Sequence, residues 1–164
     1  MIRKADLSRC GKYRWCLERR WSPLLPNHTI TFVGLNPSTA DDLTDDNTTT
    51  RLINFAKKWG YNEMLLVNLC AFRSTDPDEL QKQRHPIGDE TDDYIRRAID
   101  RAHSICCCWG DGGDLFPDRC QAIIQMIPDG KRYCLGTTNK KQPRHPLYLP
   151  NETHLEKWSG QDGY

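Results

Sequence analysis

Apolar and polar residues along this chain alternate between a pattern typical of strands and a pattern typical of helices. Short runs of β-branched and other apolar residues favour strands, whereas apolar positions three and four residues apart favour amphipathic helices. Strand–helix units that repeat in this way predict an α/β fold with a parallel sheet, right-handed crossovers and helices on both faces. Four strands are predicted over residues 29–33, 63–69, 104–108 and 132–135, and three helices over 50–59, 89–102 and 117–127.

The segment before the first of these strands has a mixed pattern. Residues 13–21 combine aromatic and basic side chains and are predicted as a strand or a hairpin edge. Pro23 and Pro26 end this segment, because proline interrupts the hydrogen bonding of a strand.

The length of 164 residues is enough for one domain with a sizeable core. We therefore expect a single domain over residues 1–164. Within it, an N-terminal segment of residues 1–28 packs on a core of residues 29–150, and residues 151–164 form a C-terminal tail.

Each predicted strand runs into a polar or glycine-bearing segment. The first strand is followed by Gly34-Leu35-Asn36-Pro37-Ser38, and the second ends at Asn68. Trp109 and a glycine follow the third strand, and the fourth leads to His145. Because the carboxyl ends of parallel strands open into one crevice, we expect these polar residues to converge in a ligand pocket.

The side chains at these strand ends suggest specific chemistry. The amide of Asn68 pairs a donor with an acceptor, so it either reads a planar ligand such as a nucleobase or caps a local turn. Asn36 can hold a water molecule or a ligand carbonyl, although it is not a base. His145 either donates a hydrogen bond to a leaving group or is satisfied by the backbone. A carboxylate could come from the following loop, where Asp41 is the candidate among Asp41, Asp42, Asp45 and Asp46.

Composition narrows the classes of partner. The formal net charge of +1 gives no bulk attraction for nucleic acid, so basic patches would have to supply it. The chain has no apolar run of membrane-spanning length and no signal-type start, so we expect a cytoplasmic protein that does not bind membranes. We also expect a monomer. The basic residues cluster in two patches, Arg14, Arg19 and Arg20, and Lys131, Arg132, Lys140, Lys141 and Arg144.

The eight cysteines are many for a cytoplasmic chain. No Cys-x-x-Cys spacing occurs, and Cys106-Cys107-Cys108 stands in an apolar run. We interpret these cysteines as buried free thiols and expect neither a metal nor another cofactor.

Four short motifs together resemble those of the uracil-DNA glycosylase superfamily. Gly34-Leu35-Asn36-Pro37-Ser38 is similar to its first motif, in the form found in the mismatch-specific uracil/thymine branch. Leu65-Leu66-Val67-Asn68 looks like the strand whose asparagine recognises the base, and Cys108-Trp109-Gly110 is similar to the end of the third strand. His145-Pro146-Leu147 resembles the second motif. The whole chain looks even more like a bacterial and phage family called domain of unknown function 1643, to which no activity is assigned.

The superfamily resemblance implies a three-layer αβα sandwich with a central four-stranded, mainly parallel sheet. It also implies a monofunctional DNA glycosylase that flips a uracil-like, mismatched or modified base out of single- or double-stranded DNA. The implied catalytic residues are Asn36, Asp41 and His145, and the implied base-binding residues are Gly34, Leu35, Asn68 and Trp109. Nucleic-acid contacts are expected from Ser38, Lys140, Lys141, Arg144, Leu147 and Tyr148, with Leu147 or Tyr148 as the wedge that fills the vacated stack.

Two positions depart from the superfamily pattern. Leu147 stands where the second motif has serine, and Asn36 stands where the most active branch has aspartate. Two alternatives therefore stay open, namely a non-catalytic binder of modified bases or nucleotides and a hydrolase of free nucleosides or nucleotides.

Overall fold

The computed structural model describes residues 1–160, so residues 161–164 of the predicted tail lie outside the described residues. The described part contains seven strands, four α-helices and two 3-10 helices. The strands are β1 (Ile2–Leu7), β2 (Arg14–Arg20), β3 (Thr29–Gly34), β4 (Glu63–Asn68), β5 (Ser104–Cys107), β6 (Arg132–Cys134) and β7 (Glu156–Lys157). The α-helices are α1 (Asn47–Lys58), α2 (Pro77–Lys82), α3 (Thr91–Arg101) and α4 (Pro117–Met126), and the 3-10 helices span Gly110–Leu115 and Asp129–Lys131.

All seven strands join one sheet in the order β1-β2-β4-β3-β5-β6-β7. The inner strands β4, β3, β5 and β6 run parallel to one another, and they are the four strands that the sequence predicts. β2 pairs antiparallel with β4, β1 with β2, and β7 with β6. The expected four-stranded sheet is therefore too small, and the fold is a mixed α/β fold with a seven-stranded sheet.

The sequence pattern does not predict β1, β7 or α2. These elements are short or lie at an edge of the sheet. β1 forms an outer edge and exposes four of its six residues, and β7 at the other edge is two residues long. Edge strands need little apolar periodicity, because the backbone ladder holds them. α2 has six residues, too few to show a helical period, and it begins at Pro77 after the Asp76 cap.

Helices cover both faces of the sheet, as predicted. Phe32 and Val33 are neighbours on β3, and successive side chains of a strand point to opposite faces. Phe32 packs in the core that contains the buried face of α1, whereas Val33 packs in the core that contains the buried faces of α3 and α4. Among residues 1–160, no helix is both long enough and apolar enough to cross a membrane.

Most of the cysteines lie in these two cores. Six of the eight thiols are buried, Cys16 is half-buried, and Cys10 is exposed. Among residues 1–160, none of the eight forms a disulfide, and Cys106 and Cys107 lie on β5 as the apolar run predicts. Burial raises the pKa of Cys70 to about 12, so this thiol stays protonated at neutral pH. The buried cysteines therefore act as small apolar side chains.

A buried arginine on β2 anchors the loop that leads into α1. The side chain of Arg19 is completely buried, and its Nε donates to Oδ1 of Asp45 at 2.8 Å. Arg19 also donates to the carbonyl of Asp41 and, at 3.3 Å, to that of Thr44. Arg3 on β1 donates to Oδ2 of Asp45 at 2.9 Å. The β1–β2 hairpin thereby fixes the position at which α1 begins.

We expect Asp45→Ala to lower the free energy of unfolding by about 2–4 kcal/mol, because it leaves the buried Arg19 guanidinium without its carboxylate. Urea denaturation monitored by circular dichroism measures the change. The control is Asp93→Ala, which breaks an exposed i,i+3 pair with Arg96 and should cost about 0.5 kcal/mol or less. Equal losses in the two variants would contradict the anchoring role of Arg19.

Candidate functional site

A cavity of about 400 Å³ lies where β3, β4 and β5 end at the carboxyl edge of the sheet. We call it the base cavity, after the nucleobase that the motif resemblance predicts as its ligand. Its lining comes from the segments that follow these strands, from the start of α1 and from the loop around His145. The predicted convergence of the strand ends is therefore found in the fold. The predicted site residues that line this cavity are Gly34, Leu35, Asn36, Ser38, Asn68, Trp109 and His145.

Asp41 is a predicted catalytic residue that does not line the base cavity. Its Oδ1 accepts hydrogen bonds from the backbone N–H groups of Thr44 at 2.8 Å and Leu43 at 2.9 Å, and from the Thr44 hydroxyl at 2.9 Å. These hydrogen bonds, the one from the Thr44 backbone first, lower the pKa of Asp41. The carboxylate thus closes a turn of its own loop.

The predicted nucleic-acid contacts other than Ser38 lie outside the base cavity, on the loop that carries His145. Lys140, Lys141 and Arg144 are exposed, and Arg144 Nε donates to the carbonyl of Thr137 at 3.1 Å. Leu147 is half-buried directly after Pro146, which lines the cavity.

Tyr148, the second candidate wedge, stands out on this loop. It is 98% exposed, and its backbone has a φ of 66°, in the left-handed region that few non-glycine residues adopt. A large aromatic ring is therefore presented to solvent two residues after Pro146, which lines the base cavity.

Asn68 brings an unsatisfied amide to the base cavity. The residue is 4% exposed, and its Nδ2 has no hydrogen-bond partner among the described residues. It pairs in register with Gly34, where an added Cβ would lie 2.7 Å from Oδ1 of Asn68. Glycine at position 34 therefore makes room for the amide. A buried donor without a partner costs about 1–3 kcal/mol, so a ligand acceptor placed here would be stabilising.

The amide of Asn36 is held in one orientation. Its Nδ2 donates to the carbonyls of Ser74 at 2.9 Å, Pro37 at 3.2 Å and Phe72 at 3.3 Å. Three carbonyls around one end of an amide require the nitrogen there, so the assignment of Nδ2 and Oδ1 is unambiguous. Asn36 therefore has Oδ1, a hydrogen-bond acceptor, for a water molecule or a ligand.

His145 is held by its neighbours in a tautomer that can donate. Its Nδ1 accepts from the backbone N–H of Leu147 at 3.2 Å, so the neutral ring carries its proton on Nε2. Desolvation lowers the pKa of His145, and the negative charge of Asp46 opposes part of this shift. Gly110 lets the two loops approach, because an added Cβ would lie 3.3 Å from Cβ of His145.

Trp109 contributes a wall to the base cavity. It is fully buried, and its Nε1 donates to Oε1 of Gln142 at 2.8 Å. Gln142 in turn donates from Nε2 to Oδ1 of Asp114 at 2.6 Å. The indole N–H is thus used inside the protein, and the buried ring of Trp109 supports the wall of the cavity by packing.

Two charged residues in the lining are not among the predicted site residues. Asp46 is the N-cap of α1, where its Oδ1 accepts from the backbone N–H of Thr49 at 2.8 Å. Arg14 on β2 is 2% exposed, and its Nη1 donates to the carbonyl of Ala40 at 2.9 Å. Burial lowers the pKa of Arg14 to about 10, although Asp46 opposes this shift, so the guanidinium remains charged at neutral pH.

The sequence contains a signal for one of these two residues. Asp46, followed by Asn47, Thr48 and Thr49 before an apolar helical pattern, is a helix-start signature. A helix that follows a parallel strand begins at the carboxyl edge of the sheet. This position at the helix start distinguishes Asp46 from Asp41, Asp42 and Asp45. Arg14 gave no such signal, because its position depends on the antiparallel pairing of β2 with β4.

The fold and the site define an α/β protein with a cavity of mixed polar and apolar lining at the carboxyl edge of its sheet. The chain matches a family described as "Protein of unknown function (DUF1643)" over residues 14–147, and it belongs to this family. The matched residues run from Arg14 to the loop after His145 and so include the lining of the base cavity. Comparison with curated proteins and with solved structures finds no match.

The surroundings of His145 shift the pKa of its imidazole, and this shift can be measured. We expect its pKa to be lower in the native protein than in urea, because desolvation disfavours the imidazolium. A lowered native pKa means that the folded state binds fewer protons between the two values. Stability should therefore fall as the pH decreases through the unfolded pKa towards the native pKa.

Nitrogen NMR of the His145 ring measures this pKa, and Asp46→Asn provides the control, because removing the nearby negative charge should lower it further. A native pKa at or above the value in urea would contradict the inferred environment.

Proposed function

We propose that this protein is a DNA glycosylase that hydrolyses the N-glycosidic bond of a uracil-like, mismatched or modified base. The observation that carries this proposal is Asn68, whose buried Nδ2 has no partner among the described residues and whose side chain belongs to the lining of a cavity of about 400 Å³. This volume is in the range of small-molecule sites. The motif resemblance to the uracil-DNA glycosylase superfamily supports the same function.

Base recognition is assigned to Asn68 and Trp109. A base flipped out of the stack enters the cavity, whose wall Trp109 supports, and Asn68 donates to a carbonyl on the hydrogen-bonding edge of the base. Uracil and thymine carry such carbonyls beside a ring N–H. This N–H can donate a hydrogen bond to Oδ1 of Asn68. The exposed Tyr148 fills the space that the base leaves in the duplex.

Bond cleavage is assigned to His145, Asn36 and Asp46. The bond between C1′ of the sugar and the base nitrogen breaks with its electron pair moving to the base. His145 donates a hydrogen bond from Nε2 to the base anion, and Asn36 orients a water molecule through Oδ1. The water oxygen bonds to C1′, and the water proton passes to the carboxylate of Asp46. A carboxylate here supplies the base strength that the Asn36 amide lacks.

The test is incubation of the protein with single- and double-stranded oligonucleotides that carry uracil, mismatched thymine or modified bases. Abasic sites are then detected by alkaline strand cleavage. We expect cleavage at one or more of these bases, and Asn68→Ala should lower kcat/KM by about 10- to 100-fold because one buried hydrogen bond is lost. The matched control is Asn54→Ala, which changes an exposed asparagine on α1. If folded protein forms no abasic sites on any substrate, the proposed reaction is wrong.

A second prediction separates charge from helix capping at Asp46. Asp46→Asn keeps a side chain that caps α1 well but removes the carboxylate charge, so stability should be retained while kcat falls by about 100-fold. Asp41→Asn serves as control and should change kcat by less than about twofold, because Asp41 lies outside the base cavity. A larger loss in Asp41→Asn than in Asp46→Asn would reverse the assignment.

A specific observation favours one other function, which is hydrolysis of free nucleotides. The buried Arg14 guanidinium lines the same cavity as Asn68, so base and phosphate of one small ligand could both be bound. Chromatography of reactions with deoxynucleoside 5′-monophosphates distinguishes the two. Release of free base from monophosphates but not from oligonucleotides would favour the nucleotide hydrolase.

A further inference from the structure

A second cavity of about 420 Å³ opens beside the base cavity. It lies between the turn that joins β1 to β2 and the segment that follows β4. Ser38, Ser74 and Thr75 line both cavities, so the two are neighbours. We call the second cavity the side groove. Its charged residues are Lys12, Arg73 and Glu79.

The guanidinium of Arg73 is surrounded by neutral acceptors. It donates to the carbonyls of Ser38 at 3.2 Å, Gly11 at 3.3 Å and Thr39 at 3.5 Å. Among residues 1–160, no carboxylate forms an ion pair with it. The carbonyls fix the side chain in place, but they do not neutralise its charge.

A second guanidinium without an ion-pair partner belongs to Arg14, which lines the base cavity. It also lacks a carboxylate in ion-pair contact among the described residues, and its Nε is buried without a hydrogen-bond partner there. Burial lowers its pKa, Asp46 opposes this shift, and the charge of Arg73 lowers the pKa further. Two cations that repel each other, one lining each of two neighbouring cavities, form an arrangement that an anion would stabilise.

The acidic groups near these cations already accept other hydrogen bonds. Asp46 accepts from the backbone N–H of Thr49 at 2.8 Å, and Glu79 lies 3.4 Å from the Ser74 hydroxyl. Asp41, which is close enough for Arg73 to influence its pKa, closes the turn at Thr44. Asp46 and Glu79 therefore offset part of the nearby positive charge, but among the described residues neither forms an ion pair with Lys12, Arg73 or Arg14.

We propose that the side groove binds a phosphate group attached to the nucleoside whose base occupies the base cavity. Arginine, lysine and hydroxyl side chains are the usual partners of phosphate oxygens, and Ser38 and Thr75, which line both cavities, supply hydroxyls. This assignment rests on the proposed base recognition. In DNA, the group is a phosphate beside the target nucleotide, and in a free nucleotide it is the terminal phosphate.

The test uses a fluorescein-labelled single-stranded oligonucleotide that contains one deoxyuridine, with binding measured by fluorescence anisotropy. Arg73→Gln should weaken binding by about tenfold and Lys12→Gln by about threefold, because each removes a charged phosphate contact. The exposed Lys12 side chain carries little risk for folding, so Lys12→Gln tests the groove even if Arg73→Gln is destabilised. The matched control is Arg96→Gln on the exposed face of α3, which should bind as the unchanged protein does.

A parallel titration with deoxyuridine, deoxyuridine 5′-monophosphate and inorganic phosphate identifies the source of the phosphate. Loss of oligonucleotide binding in both groove variants supports a DNA strand as the ligand. Loss confined to the monophosphate or to inorganic phosphate supports a free nucleotide. The proposal is overturned if none of these ligands binds, or if Lys12→Gln and Arg73→Gln bind them as Arg96→Gln does.

The same variants separate this proposal from the proposed reaction. Phosphate-dependent binding that falls in the groove variants, together with no abasic sites on any substrate, supports the side groove and rejects the glycosylase. Abasic sites formed at unchanged kcat/KM in both groove variants reject the side groove and support the glycosylase.

Discussion

The parallel pairing of β3 with β4, which brings Gly34 level with Asn68, is the constraint on which the base cavity depends. A side chain at position 34 would meet the Asn68 oxygen at 2.7 Å, so the register and the glycine are needed together. The pairing continues beyond the strands, where the N–H of Leu69 donates to the carbonyl of Gly34 at 2.9 Å. This continuation brings the segment after β4 to Asn36, whose Nδ2 donates to the carbonyl of Ser74. One strand register thus positions both amides of the site.

The buried Arg19 side chain holds the loop before α1 and so determines which carboxylate lines the cavity. Arg19 holds the loop through Asp45 and two carbonyls, and the loop then ends at Asp46, the N-cap of α1. Asp41 closes a turn within the same loop, and Asp45 is neutralised by Arg19 and Arg3. The hydrogen bonds of the N-cap therefore place a negative charge beside His145 and Arg14, where it influences the pKa of both.

The sequence predicted what depends on local periodicity, and it did not predict what depends on long-range packing. The four parallel strands and the main helices were predicted because their apolar residues repeat with the strand or helix period. The convergence of Asn36, Asn68 and His145 followed from parallel topology. By contrast, the edge strands have weak patterns, and the burial of Arg14 results from a strand pairing that leaves no local signature. Asp46 carried a local helix-start signal, whereas the turn that Asp41 closes outside the cavity depends on the folded loop that Arg19 holds.

The distribution of charge is compatible with the proposed binding of a nucleotide by a chain with a net charge of +1. Such a chain gains little from long-range attraction to a polyanion, so its affinity has to come from short-range contacts. Here Asn36, Asn68 and Arg14 line one cavity, while Arg73 and Lys12 line the neighbouring groove. A ligand with a neutral planar head and an anionic group close to it matches this division. Because the cations lie beside the cavity, phosphate contacts would add to base recognition and could not replace it.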